Sequence, residues 1–280
     1  MRERTQRRSR RDRSQPRPPD YGLTRREVSR LRSLHPAWRI QRFLDGLAYD
    51  VAASGCRSPR RVLAEGKVQC MDGALFAAAA LRLQGHPPWI VDLEAVFDDD
   101  HVLAVFREKG AWGAIARSNY SGLRFREPVY PTLRTLVFSY FEPYFNLRRQ
   151  KTLRRYSNPV DLSRFDRIDW MTSDEDLWEI PEYLVHVRHR RLLTARQEKS
   201  LSPVDRRMFE AGLGRARGEN GSRRKEKTSP LPRLNERIGI GFSGRTHESA
   251  PHPDPLPRGE GGGLRSPITE GIPSPLRGEG

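Results

Sequence analysis

The 280-residue chain reads as an α+β protein, and three observations carry that reading. An alanine-rich run, "CMDGALFAAAALRLQG" from Cys70 to Gly85, has the composition of a buried helix. Alternating apolar stretches follow it as a group, "WIVDLEAVF", "HVLAVF" and "AWGAIA". Helix and strand patterns are therefore segregated rather than interleaved as βαβ units. The expected architecture is a central cysteine-bearing helix packed on an antiparallel sheet, with flanking helices and disordered ends.

The elements follow in chain order. "HPAWRIQRFLDGLAYDVAAS" places Trp38, Phe43, Leu44, Leu47 and Val51 at three- and four-residue spacings, the mark of an amphipathic helix. Ser58-Pro59 then opens a short helix that Gly66 closes. The alanine-rich helix runs to Leu83, and Gly85 stops it. Ile90 to Val96 forms a strand, and the next two apolar runs flank "REKG" as a hairpin. A four-residue turn there sets Phe106 against Ala111 and His101 against Ala116. "PTLRTLVFSYFEPYFNL" returns to helix with a dense aromatic set, and Pro143 divides it. Two short helices are expected within "TSDEDLWEIPEYLVHVRHRRLL", capped by Thr172 or Ser173, and Ser202 caps a last one.

Composition bounds the rest. Residues 1–20 are nearly devoid of apolar side chains, and 214–280 are rich in Gly, Pro and charge. Such segments cannot bury enough surface to offset their ordering entropy, so both are expected to be disordered. The tail repeats itself loosely, "PDPLPRGEGGG" returning as "PSPLRGEG", with no apolar face to stack. That leaves 21–213 as the folded domain, with a helical extension at its C-terminal end. The formal charge of +16 is carried partly by the ends, about +5 in the first twenty residues and about +4 in the tail. No nucleic-acid-binding motif stands out, so no specific nucleic-acid partner is expected. No apolar run nears the length of a membrane span. Two cysteines make no disulfide framework and fit a reducing, cytoplasmic setting.

The chemistry centres on Cys70. A thiol at a helix N-terminus meets unpaired backbone N–H groups and the positive end of the helix dipole, which favours thiolate. The same groups can hold an oxyanion, and Lys67 adds positive potential nearby. A base is then needed, and His101 begins an apolar strand that can present its imidazole rigidly. A third group should orient the ring. Asn119 is the foremost candidate, with Ser118 or an aspartate of 98–100 as alternatives. No cofactor is required. "DDDH" offers hard-metal ligands, but three consecutive aspartates do not all point inward, and His186 and His189 lack a third ligand, so no metal is expected.

These residues resemble the transglutaminase-like core of the papain-like cysteine enzymes. The stretch from "LAYDVAASGCRSPRRVLAEGKVQC" through the alanine helix is similar to that family's cysteine segment. "HVLAVFREKGAW" is similar to its histidine strand, glycine turn and tryptophan. The likeness spans 36–119. It implies that Cys70 is the nucleophile, His101 the base, and the reaction an acyl transfer through a thioester: peptidase, amidase or amine transfer. The implied substrate is a peptide or protein. The family's aspartate position is Ala116 here, and "GKVQC" stands where the family has Gly-x-Cys. The competing readings are a catalytically degenerate binding protein on the same fold, and a basic nucleic-acid-associated protein. Arg117, Arg124 and Arg126 are placed to line a cleft mouth.

Overall fold

The computed structural model describes residues 20–52 and 55–213. The polar ends assigned above, 1–20 and 214–280, lie outside the described residues except for Asp20. The described part is α+β, with an antiparallel main sheet between two apolar layers.

The first helix, α1 (Arg25–Ser33), starts in a capping box: the Thr24 hydroxyl accepts the Glu27 N–H, and the Glu27 carboxylate accepts the Thr24 N–H at 2.6 Å. Next, α2 (Trp38–Asp45) stops at Gly46, short of the Val51 that the spacing predicted. Beyond it the chain extends as β1 (Ala48–Tyr49), which pairs in parallel with β2 (Lys67–Val68). Between those strands α3 (Pro59–Glu65) begins at the Ser58 cap with proline at its first position. It ends at Gly66, whose φ of 66° requires glycine.

The central helix is α4 (Cys70–Leu83), and every residue from Met71 to Leu81 is buried. Each fully buried large apolar side chain on it, such as Leu75, Phe76 or Leu81, contributes about 1.5–3 kcal/mol of transfer free energy. Gly73 interrupts its helix-favouring composition for a steric reason. A Cβ there would lie 2.7 Å from the Cβ of Arg117, so glycine lets the end of the sheet approach the first turn of the helix.

The main sheet follows. Its strands are β3 (Trp89–Ala95), β4 (His101–Glu108), β5 (Ala111–Ile115), β6 (Arg126–Tyr130), then α5 (Leu133–Phe138), β7 (Leu153–Ser157) and β8 (Val160–Asp161). After a 3-10 helix (Leu162–Ile168) come α6 (Glu179–His186), β9 (His189–Arg191), α7 (Ala195–Lys199) and α8 (Arg206–Gly212). The order across the sheet is β6-β5-β4-β3-β7-β9, with β8 beside β3, and every pairing is antiparallel. The aromatic segment after Pro131 is helical only over α5 and continues in turns. The second helix expected before Leu193 is instead β9, drawn into the sheet by β7. Asp205, not Ser202, caps α8, its carboxylate accepting the Met208 N–H at 3.0 Å.

The hairpin register also differs from expectation. Lys109 and Gly110 alone form the turn, with φ of 49° and 85°. Two left-handed residues match the twist of the strands they join. Glu108 therefore pairs with Ala111 and Phe106 with Gly113, two positions from the expected alignment. Pleating divides the strands between two layers. Ile90, Val102, Ala104, Phe106 and Ile115 pack with α4, whereas Val91, Leu93, Leu103, Val105 and Ala114 pack with Leu136, Tyr140 and Tyr144.

Candidate active site

Cys70 is the first residue of α4, and α4 lies across β4. The thiol accepts hydrogen bonds from the N–H groups of Met71 and Val102. Val102 immediately follows His101, so the sulfur rests against the start of the histidine strand. The helix N-terminus was expected to favour thiolate, but the thiol is pushed up to about 12. Burial is the largest cause, and the carboxylates of Asp72 and Asp99 add to it against the two N–H groups. Lys67 stands exposed on β2.

Asp72 belongs to the first turn of α4 and is fully buried. It accepts from the backbone N–H of Arg57 at 2.8 Å, the Arg57 guanidinium at 3.1 Å and the Gln69 N–H at 3.1 Å. Arg57 also pairs with Asp50 and Glu65, each at 2.6 Å. Burial raises the Asp72 carboxyl to about 6 against these partners. This network fixes the start of α4 to the loop before α3, and so fixes where the sulfur lies.

His101 is 5% exposed. Its Nε2 donates to the Leu123 carbonyl at 3.0 Å, and its ring meets Tyr144 edge-on at 6.5 Å. A carbonyl can only accept, so Nε2 carries the proton and Nδ1 keeps the lone pair of the neutral ring. Burial pulls the imidazole down to about 4, with the Arg126 charge contributing. Its cross-strand partner is Leu93, in the layer of Tyr144. Among the described residues no hydrogen bond joins His101 to Cys70. Tyr144 links them in another way: its ring touches His101, and its phenol, raised mainly by burial, is raised further by the Cys70 sulfur. Tyr49 is likewise raised by burial and by the same sulfur, and the Arg117 guanidinium lies over its ring at 5.1 Å.

The third position is filled by a main-chain group. Asn119, expected to orient the imidazole, sits part-exposed in a bend and makes no hydrogen bond among the described residues. The Ser118 hydroxyl accepts the Tyr120 N–H at 3.1 Å. Asp98 accepts from the Thr152 hydroxyl at 2.7 Å and Asp100 from the Ala95 N–H at 2.8 Å, so both hold the β3–β4 loop together instead of touching the ring. Ala116 is occupied differently again: the Gln41 side-chain amide accepts its N–H at 3.1 Å and donates to its carbonyl at 3.0 Å. Arg117 is 3% exposed and donates to the carbonyls of Ser118 and Leu47, and Arg126 donates to those of Phe125, Gly122 and Ser139. Arg124 pairs with Asp45. The expected cleft-lining arginines thus serve to fold the segment after β5.

Two further histidines are accounted for. His189 donates from Nδ1 to the Val187 carbonyl at 2.9 Å and pairs through Nε2 with Asp92 at 3.0 Å. Burial pulls His189 down, but Asp92 more than offsets it; Asp92 itself is raised by burial. His186 closes α6. Among the described residues no group of three or more His, Cys, Asp or Glu side chains is arranged to hold a metal ion. No described helix is long and apolar enough to cross a membrane.

Compared with known proteins, the chain matches no family model and no curated sequence. The geometry above therefore carries the functional argument.

Proposed function

We propose that the protein is a cysteine-dependent acyl-transfer enzyme on a papain-like, transglutaminase-type core, attacking a peptide or amide carbonyl through Cys70. The observation that carries this reading is the lock on His101. Its Nε2–H is tied to the Leu123 carbonyl, which leaves a basic Nδ1 on the residue whose neighbour donates to the Cys70 sulfur. Thiol and imidazole are both neutral at rest. His101 Nδ1 takes the thiol proton as the sulfur attacks the carbonyl, and the Leu123 carbonyl steadies the imidazolium through Nε2–H. N–H groups at the start of α4 accept the developing oxyanion. Collapse expels the amine, which takes the proton from Nδ1, and leaves a thioester. Water or a second amine then gives up a proton to Nδ1 and displaces the sulfur. Two reduced cysteines support a cytoplasmic setting.

A second reading is a binding protein that has lost catalysis on the same fold. It is favoured by the raised thiol and by a carbonyl where the family has a carboxylate. Alkylation separates the two. For an enzyme, iodoacetamide labels Cys70 in the native protein faster than it labels the buried Cys56, and His101→Ala slows that labelling at least about tenfold. Labelling of Cys70 that ignores His101 would leave the binding reading.

A further inference from the structure

The loop between β3 and β4 contains an arrangement the reaction above does not use. Phe97 has φ of 58°, a left-handed conformation that a bulky residue adopts only under constraint. Nothing is gained by burial in exchange, because Phe97 is 71% exposed. The loop is held from many sides. The Asn146 amide donates to the Phe97 carbonyl at 3.2 Å, the Val96 N–H to the Thr152 carbonyl at 2.9 Å, and the Tyr144 hydroxyl to the Asp99 carbonyl at 2.7 Å. Asp98 and Asp100 add the two contacts described above. The facing turn carries a second exposed apolar residue, Leu147, at 55% exposure and next to Asn146. Both lie at the reacting end of the sheet. Asp99, two residues from Phe97, raises the Cys70 thiol; Tyr144, three residues before Leu147, touches the His101 ring.

We infer that Phe97 and Leu147 form an apolar subsite beside Cys70 that seats an aromatic or aliphatic side chain of the acyl donor. The inference rests on Cys70 being the nucleophile. A rigid loop holding an aromatic ring in solvent at a conformational cost is what a preformed contact for a hydrophobic group requires, since the ring need not be ordered when substrate arrives. The subsite sets which acyl groups react and takes no part in proton transfer.

The test uses the full-length protein and two chloroacetamides of equal intrinsic reactivity, one N-phenethyl and one N-hydroxyethyl. The second-order rate of Cys70 modification is read by mass spectrometry. The phenethyl probe should react at least about tenfold faster than the hydroxyethyl probe, corresponding to about 1.4 kcal/mol. Phe97→Gly and Leu147→Ser should each bring the ratio towards one, while Val129→Ser, exposed on β6, should leave it unchanged. Phe97→Gly should also melt no lower than the parent, since glycine relieves the left-handed strain; this separates lost preference from lost fold. A ratio near one in the parent, or one that survives both substitutions, overturns the subsite while rapid labelling of Cys70 leaves the nucleophile intact. Failure of either probe to outpace its reaction with glutathione overturns the nucleophile and the subsite together.

Discussion

His101→Gln offers a direct measure of how the imidazole is held. Glutamine can still donate to the Leu123 carbonyl, but it does not titrate. The folded ring sits at about 4 and the unfolded ring at its ordinary 6.5. A base depressed by folding costs stability when it is protonated. Its contribution is fully present above the unfolded value and is lost as pH falls from 6.5 towards 4. With those two values, lowering the pH from about 7 to about 5 removes about 2 kcal/mol through this one group. Asp72 and Asp100 are raised in the fold, to about 6 and about 7, and contribute with the opposite sign. They are present in both proteins, so they cancel in the difference. Urea unfolding at the two pH values should show the parent losing about 2 kcal/mol more than the variant. Equal losses, within about 0.5 kcal/mol, would mean that His101 is solvated or charge-paired and would refute the neutral, locked imidazole.

Three further outcomes follow from the same site. Arg57→Ala strips Asp72 of its guanidinium inside the fold and should cost about 3–5 kcal/mol in chemical denaturation, against less for Asp50→Asn at the network's edge. Asp72→Asn removes a carboxylate that raises the Cys70 thiol, so the pH midpoint of iodoacetamide labelling should move down; an unmoved midpoint would show that burial alone sets it. Gly73→Ala must displace Arg117 by several tenths of an ångström and should destabilise by about 1–3 kcal/mol despite the better helix propensity, read as a shifted urea midpoint at constant slope.

The sequence made α4 and the β4–β5 hairpin plain, because an alanine-rich run and strict alternation each admit one periodicity. It made the Cys70–His101 neighbourhood plain at the level of elements for the same reason. Other parts followed rules that short-range pattern does not expose. The Thr24–Glu27 capping box announced α1 and could have been read. The two-residue turn was hidden by "REKG", where Gly110 marks the turn but Lys109 gives no sign of its left-handed backbone. β9 carries three polar residues, and only its pairing with β7 makes it a strand. The orienting group was beyond reach in principle, because a main-chain carbonyl is common to every residue and Leu123 advertises nothing. The raised thiol is similar: Asp72 was visible, but its complete burial beside Cys70 was not.

Gln41 has a reach that its place on an outer helix conceals. By meeting both backbone groups of Ala116, its amide acts as one residue of a neighbouring strand and ends β5 cleanly. From that anchored point the chain turns away and comes back with the Leu123 carbonyl under His101. The partner of the histidine is thus a destination on a path, and the path is surveyed from α2. A side chain near the start of the fold thereby governs the basicity of a ring it never touches.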